Sequence, residues 1–435
     1  MERFALSRMK EWKENENRKP LIIRGARQVG KTWIMKTFGQ QYFEKTAYVN
    51  FDNNARMKQV FEGDLDIERL VLAISAETGV SIEAENTLII FDEIQEVPKA
   101  LTSLKYFHEN APQYAIVAAG SLLGVALHQG TSFPVGKVDF LDLYPLNFRE
   151  FLCAMGEKQF VSMLDSCDTQ MVTVFKTKYI ERLREYYFVG GMPEVVKDFS
   201  EKKDYNRVRA IQKNLINYYQ QDFSKHAEIK LVPRLNLVWN SIPMQLAKEN
   251  KKYIYGQVRK GSRAKDFELA IQWLLDCGLI HKVQRIQKPD LPLKAYIDFD
   301  AFKLFLVDIG LLIAMTDLDA KVIIEGNKIF TEFNGSLTEQ YILQQLISDV
   351  GVIPYYYSTQ NSKGEIDFLV QGKTSVIPIE VKAEENLKAK SLKAFCEKYQ
   401  PSYAVRTSMS DYREQDWMTN IPLYAIKWIE NYVNQ

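Results

Sequence analysis

Cysteine and histidine are scarce in this chain, with four of each in 435 residues. Cys153, Cys167, Cys277 and Cys396 stand far apart, without the close pairs that hold zinc or the density of a disulfide scaffold. A structural zinc site and a disulfide framework are therefore both excluded as the basis of the fold. Net charge is almost absent as well: 56 Lys and Arg against 55 Asp and Glu leave +1. No bulk field names a partner, and any affinity for a polyanion must come from a local patch. Long apolar runs are missing too. The longest uncharged one, Ala115 to Leu127, is interrupted by glycine and too short to span a bilayer. The first eight residues, Met1 to Arg8, lack the apolar centre of a secretory signal. These absences predict a cytoplasmic protein with no membrane partner. The 46% of hydrophobic residues is ample for buried cores, and the length suggests about three domains.

Against this plain background one stretch stands out. Gly25-Ala26-Arg27-Gln28-Val29-Gly30-Lys31-Thr32 fits G-x-x-x-x-G-K-[ST], the phosphate-binding loop. Pro20 to Arg24 reads as a short buried strand before it, and Trp33 to Phe38 as the first turns of a helix after it. That context makes an anion site, because backbone N–H groups and the helix dipole converge on phosphate. The spacing assigns Lys31 to the β- and γ-phosphates of ATP and the Thr32 hydroxyl to Mg2+.

The following segments read as alternating strands and helices. Thr46 to Phe51 predicts a second strand. Thr87-Leu88-Ile89-Ile90-Phe91-Asp92-Glu93 predicts a central strand, apolar throughout and ending in two carboxylates, where ligands sit in open parallel sheets. Asp92 is assigned to the Mg2+ shell with Thr32, and Glu93 to the attacking water. The strand Tyr114 to Ala119 runs into Gly120-Ser121. Ser121 either contacts the water or γ-phosphate or caps the helix that begins at Leu122. Lys137 to Leu143 alternates as a fifth strand, completing a three-layer α/β arrangement.

Further on, helices are expected over 170–188 and 204–223, on either side of the Gly190-Gly191-Met192-Pro193 break. Helices at about 234–248 and 263–276 precede two strands, Leu279 to Val283 and Ala295 to Asp298, that pair as a wing. This winged-helix reading gathers Lys248, Lys251, Lys252, Arg259, Lys260, Arg263 and Lys265, with Glu249 and Asp266 among them. Lys251, Lys252, Arg259, Lys260, Arg263 and Lys265 are candidate DNA or RNA phosphate contacts; the alternative is a solvated basic face or a contact with acidic residues. Near the end, Glu339 falls on the apolar stripe of a helix with Ile342, Leu343 and Leu346. Asp367 and the Glu380-x-Lys382 pair lie on strands joined by Gln371 to Thr374. A carboxylate on an apolar face is costly unless paired or bound to metal.

Several motifs recur together in one known family. Gly-Ala-Arg-Gln-Val-Gly-Lys-Thr (25–32), Phe-Asp-Glu-Ile-Gln (91–95), Ala-Gly-Ser-Leu-Leu-Gly (119–124), Leu-Tyr-Pro-Leu-Asn-Phe-Arg-Glu-Phe (143–151), Tyr-Phe-Val-Gly-Gly-Met-Pro (187–193) and Ser-Ile-Pro (241–243) resemble the prokaryotic AAA+ ATPases that carry a DUF4143 C-terminal region. The resemblance implies ATP binding and hydrolysis with Mg2+, a helical lid, and room for a homo-oligomer. In that lid no arginine is singled out as a phosphate sensor; Arg182 and Arg184 are candidates only. One departure is Gly136-Lys137, where relatives often have Gly-Arg. A lysine lacks the planar fork that an arginine would turn on a neighbour's phosphate. Glu339, Asp367, Glu380 and Lys382, in that order, resemble the PD-(D/E)xK nuclease superfamily, in which carboxylates hold Mg2+ and the lysine stabilises the reacting centre. The alternative is a degenerate, purely structural copy.

The expected fold class is α/β: a P-loop AAA+ three-layer sandwich (1–155), a helical lid (156–230), a winged-helix module (231–310) and a restriction-endonuclease-like C-terminal domain (311–435). The expected function is an ATPase acting on nucleic acid, with catalytic candidates Lys31, Glu93 and Ser121. The rival is an ATP-dependent switch that binds DNA without cutting it.

Overall fold

Two sheets organise the chain, one wholly parallel and one mixed. The structure, a computed structural model, describes residues 2–120, 133–248, 251–324, 331–359, 364–383 and 389–435. Contacts divide it into two compact units: residues 2–144 with 276–278, and residues 145–275 with 279–435.

In the N-terminal unit the strands are β1 (Leu21–Arg24), β2 (Lys45–Asn50), β3 (Thr87–Asp92), β4 (Ala115–Ala119) and β5 (Asp139–Asp142), in the order β2-β3-β4-β1-β5. Every pairing among them is parallel, as expected for strands joined through helical crossovers. β3 and β4 are buried at every residue, which explains their unbroken apolar sequences. The helices include Lys31–Tyr42, Ala55–Glu62, Ile67–Thr78 and Pro98–Asn110. Phe51, Phe61 and Phe91 meet edge to face with ring centroids 5.4, 5.4 and 5.7 Å apart, joining the end of β2, a helix and β3. Such pairs contribute roughly 0.5–1.5 kcal/mol each beyond the area they bury.

The second unit begins where the Leu-Tyr-Pro-Leu-Asn-Phe-Arg-Glu-Phe motif enters it. Asn147 caps the helix Phe148–Ala154 in a reciprocal box with Glu150. Arg149 pairs with Asp349 at 2.8 Å, and Leu146 N–H donates to Gly191 O at 2.7 Å. Helices Lys158–Asp165, Thr169–Val174, Lys176–Val189, Pro193–Lys202 and Tyr205–His226 follow, then Val232–Leu246, Tyr255–Val258 and Ala264–Asp276. The eight-stranded sheet contains β6 (Ile280–Ile286), β7 (Ile297–Leu306), β8 (Tyr355–Ser358), β9 (Glu365–Gln371), β10 (Val376–Val381), β11 (Val405–Ser408), β12 (Arg413–Gln415) and β13 (Met418–Pro422). Their order is β12-β13-β11-β10-β9-β8-β6-β7.

The second sheet crosses the boundary expected near residue 310. β6 and β7 do pair antiparallel, but β6 also pairs in parallel with β8 through Arg285–Tyr356 and Ile286–Tyr357. The hairpin is thus the edge of a continuous sheet, and the sheet takes strands from both sides of residue 310. The reason is burial: β7 is covered from Ala301 to Leu306, more than a free wing would hide.

The Gly190-Gly191 break owes its composition to close approach. Asp308 Oδ2 accepts the Gly191 N–H at 2.6 Å, and Asp308 also caps the helix Ile309–Met315 through Leu311 N–H. A Cβ on Gly191 would lie 2.1 Å from Leu146 O, and one on Gly190 (φ +74) 2.2 Å from Asp308 Oδ1. Gly191→Ala should therefore lower stability by roughly 2–4 kcal/mol. At Gly335, in the helix Thr331–Gln345, a Cβ meets nothing within 4 Å. Gly335→Ala should be neutral or stabilising by up to about 1 kcal/mol. Denaturant midpoints of the two variants check this, and equal midpoints would remove the close-approach account.

Candidate nucleotide site and C-terminal charge cluster

The loop between β1 and the helix Lys31–Tyr42 has the form its sequence predicts. Gly25 (φ +147), Gln28 (φ 64) and Gly30 (φ 94) turn the backbone through positive φ. Gly25 is doubly constrained, since a Cβ there would lie 2.1 Å from Leu143 O. Ala26 and Val29 are buried and anchor the loop from beneath. Arg3, which the sequence reading did not single out, donates to Val29 O at 3.0 Å and Tyr144 O at 2.6 Å. The first N–H groups of the helix have no acceptor within the helix itself, which leaves the loop its anion-binding character.

Lys31 opens the helix and is buried, its ammonium donating to Gly25 O at 2.9 Å and Ala26 O at 2.7 Å. Burial pulls its pKa down to about 8, against the opposing charges of Glu93 and Asp92. One helical residue on, the Thr32 hydroxyl donates to Asp92 Oδ2 at 2.6 Å, bridging 60 positions of sequence. Asp92 is buried at the end of β3; its Oδ2 also accepts from Tyr48 OH at 2.9 Å, and its Oδ1 from Glu93 N–H at 3.1 Å. Tyr48, on the neighbouring β2, was missed because a tyrosine on a strand looks like ordinary core. Burial and the Asp92 charge hold its phenol well above the usual range. Glu93 leaves the strand in left-handed geometry (φ 52), and its Oε2 accepts from Gln95 Nε2 at 2.7 Å. Thr32 and Asp92 thus bring two hard oxygen donors to one point, a set that fits Mg2+. Ser121 lies outside the described residues. Lys137 pairs with Glu109 at 3.0 Å, and Arg182 with Glu157 at 2.7 Å and Glu185 at 2.7 Å.

The basic cluster of the second unit is split by the fold. Arg259, Lys260, Arg263 and Lys265 are exposed. Arg259 and Lys260 line a recess of about 290 Å³ with Arg234, Leu237, Ser262, Asp266 and Phe267. Arg234, a helix earlier in sequence, was not foreseen. Lys251 departs from the expectation. It is largely buried and ion-paired with Glu339, so it belongs to the interior and not to a phosphate-contacting face. Lys252 is half-buried, near the carboxylate of Asp298.

Glu339, Asp367 and Glu380 each have partners of their own, and among the described residues no group of three or more His, Cys, Asp or Glu side chains is arranged to hold a metal ion. Glu380 spends its oxygens locally, with Oε2 accepting from Leu392 N–H at 3.0 Å and Oε1 pairing with Lys382 at 2.6 Å. Asp367 Oδ2 accepts from Val381 N–H at 2.7 Å. Burial and then the Glu339 charge push Asp367 up to about 8. Glu339 is buried between two ammonium groups, Lys251 and Lys303. Lys303, wholly buried on β7, also reaches Glu365 at 2.5 Å. Neither Lys303 nor Glu365 was singled out from sequence. The signal was a lone lysine in the otherwise apolar run Ala301 to Leu306, which a strand buried on both faces does not tolerate without partners.

With the geometry in hand, comparison with known proteins is consistent across the chain. Residues 17–152 match the AAA domain, 180–322 a domain of unknown function (DUF8612), and 334–426 a domain of unknown function (DUF4143). No curated protein matches the sequence. Among solved structures, the Walker-type ATPase of Pyrococcus abyssi is similar at 15% identity and TM-score 0.45, covering 72% of this chain and 95% of that one. The Orc1 protein of Aeropyrum pernix, solved in complex with DNA, aligns at 13% identity and TM-score 0.28 over 72% of this chain and 91% of its own. The RuvB Holliday junction branch migration motor of Thermotoga maritima aligns at 12% and 0.28, over 64% and 87%. Likenesses this distant carry no functional argument. No helix among the described residues is long and apolar enough to cross a membrane. The chain thus carries an AAA domain toward its N-terminus and a DUF4143 region toward its C-terminus, the combination its motifs resemble.

Proposed function

We propose that the chain binds and hydrolyses ATP at the loop 25–32 and couples nucleotide state to nucleic-acid binding through its second unit. The AAA domain supports the ATPase reading. The observation that carries the residue roles is the Thr32–Asp92 contact beside the Lys31 ammonium. In this reading Lys31 exchanges the carbonyls of Gly25 and Ala26 for β- and γ-phosphate oxygens. Thr32 and Asp92 would hold Mg2+, which supplies charge stabilisation at the phosphoryl oxygens. Tyr48 and the Glu93 backbone N–H fix the Asp92 carboxylate, and Glu93 orients or deprotonates the attacking water. Ser121 keeps the role of a second contact to that water or to the γ-phosphate.

The helices Val232–Leu246, Tyr255–Val258 and Ala264–Asp276, followed by the β6–β7 hairpin, support a winged-helix reading in which Arg259, Lys260, Arg263 and Lys265 meet phosphates. The reading without cleavage is favoured over nuclease action by the lysines packed among the C-terminal carboxylates. ATP turnover measured with and without duplex DNA, branched DNA and RNA tests the coupling. Turnover indifferent to all of them would leave a stand-alone ATPase.

The residue roles separate under mutation. Lys31→Ala should abolish nucleotide binding, while Glu93→Gln should bind normally and lose turnover by about 10²–10⁴-fold. Equilibrium binding of a fluorescent nucleotide together with phosphate release distinguishes them, and wild-type turnover in both would sink the assignment.

The depressed lysine has a pH signature. Between about pH 8 and 10.5 the unfolded chain binds more protons at Lys31 than the folded one, so this group makes the free protein more stable as pH rises through that window. Phosphate reverses the preference by favouring the ammonium. Nucleotide binding should take up almost no proton at about pH 6.5 and about half a proton near pH 8, with affinity falling as pH rises further. Titration calorimetry in buffers of different ionisation heat reads the uptake directly; a pH-independent zero would place the lysine away from phosphate.

Neutralising Arg259, Lys260, Arg263 and Lys265 together should weaken DNA binding and flatten log Kd against log salt by up to about 3–4 units. Lys251→Ala should leave that slope unchanged. An unaltered slope in the fourfold variant would return those residues to a solvated face.

A further inference from the structure

Lys303 is hard to explain as a residue of β7. Its side chain has no exposure, its strand is buried from Ala301 to Leu306, and its neighbours along that stretch are all apolar. A lysine in such a place is normally discharged, because an ammonium deprived of water is far costlier than an amine. Here the opposite holds. Burial alone would lower its pKa, but Glu339, Glu365 and Asp367 more than reverse that, and the group stays charged well above the ordinary lysine range.

The arrangement is specific. The Nζ lies 2.5 Å from Glu365 Oε1 and 3.4 Å from Glu339 Oε2, over the ring of Tyr356 with the centroid at 4.9 Å. Glu339 gives its other oxygen to Lys251. Lys251 is held in place by the segment that follows it, since Tyr253 N–H donates to Phe302 O at 2.8 Å, next to Lys303. Two ammonium groups therefore stand among Glu339, Glu365 and Asp367. The carboxylates come from one helix and from β9, two of the three elements that, with the strand of Glu380, would supply metal ligands in the nuclease superfamily that this part of the sequence resembles. A divalent ion needs oxygens about 2.1 Å from one point and retains waters of its own. Here that space holds a buried nitrogen, and the remaining pair, Glu380 with Lys382, is engaged with Leu392 N–H and with itself.

We propose that the Lys303 ammonium is the resident cation of the C-terminal carboxylate cluster, standing where a divalent metal would be needed, so that the cluster takes no Mg2+ or Mn2+ and cuts no nucleic acid. The proposal is independent of the ATP reading, because its test needs no nucleotide. In the nucleotide-free full chain, Mn2+ titration followed by electron paramagnetic resonance should detect no site that is lost on Glu339→Gln. Mg2+ should produce no cleavage of branched or single-stranded DNA that is lost on Asp367→Ala. Lys303→Ala should melt below the wild type and gain roughly 2–4 °C more than the wild type does on adding Mn2+, an excess lost when Glu339→Gln is added. A wild-type Mn2+ site that disappears in Glu339→Gln overturns the proposal. So does cleavage that disappears in Asp367→Ala, and so does a folded Lys303→Ala protein with no Mn2+-dependent gain over the wild type. Should the Lys303 variant fail to fold, the wild-type titration and cleavage assays decide alone.

Discussion

A carboxylate taken out of water must be given donors or a counter-charge, and the chemistry of this chain follows from how that demand is met at each place. Asp92 is buried with three neutral donors, the Thr32 and Tyr48 hydroxyls and the Glu93 N–H. The donors bonded to it are neutral, and the nearby Lys31 ammonium bonds instead to the Gly25 and Ala26 carbonyls, so the carboxylate keeps oxygens beside the Thr32 hydroxyl. Such a group is still able to accept a cation. Glu339 is buried between Lys251 and Lys303, so its charge is already cancelled. In the readings proposed above, the same amino-acid chemistry makes one carboxylate receptive and the other closed. The difference lies in whether the neighbouring donor carries a full charge.

The receptive site was legible in the sequence because most of it is local. Eight consecutive residues form the loop, and the strand that carries Asp92 and Glu93 declares itself by an uninterrupted apolar run. Parallel pairing then brings Asp92 beside Thr32, and the pattern of strands and helices already demanded that pairing. Tyr48 and Arg3 escaped notice because their partners become visible only once strand order is known. The closed cluster was half-legible. The apolar stripe around Glu339 raised the right question of what compensates a buried carboxylate. The answer came from Lys303 and Lys251, 36 and 88 positions away, which no spacing rule connects to Glu339.

Motif order was more informative than motif role. The Leu-Tyr-Pro-Leu-Asn-Phe-Arg-Glu-Phe and Tyr-Phe-Val-Gly-Gly-Met-Pro stretches carry the family resemblance without an assigned role, and in the second unit they act as anchors. Asn147 caps its helix, Arg149 binds Asp349, and Tyr186 OH donates to Leu146 O within a buried network that includes Gln344. Burial pushes Asp349 and Asp308 up to about 6 each, while Arg149 opposes the shift at the first and backbone N–H groups oppose it at the second. Groups arranged this way fix the path of the chain. Their sequence constraint is therefore steric and electrostatic, a matter of which residue fits beside a particular carbonyl or carboxylate.

The same distinction between sequence proximity and spatial role governs the basic segment. Six cations counted along residues 251–265 suggest a broad phosphate-binding face, and the fold leaves four of them exposed: Arg259, Lys260, Arg263 and Lys265. Four phosphate contacts correspond to a salt slope of about −3.6, hence roughly a hundredfold loss of affinity between 50 and 200 mM salt. A footprint of that size holds a polyanion weakly under physiological conditions unless other contacts join it. Arg234, set beside Arg259 and Lys260 across the recess, is placed to be one of them, while Asp266 in the same recess opposes it. Binding of this strength suits a protein whose hold on nucleic acid is adjusted by another event, because a change of one or two contacts then shifts occupancy strongly. In the proposed reading, binding of this strength would suit poorly a nuclease that must grip its substrate unaided.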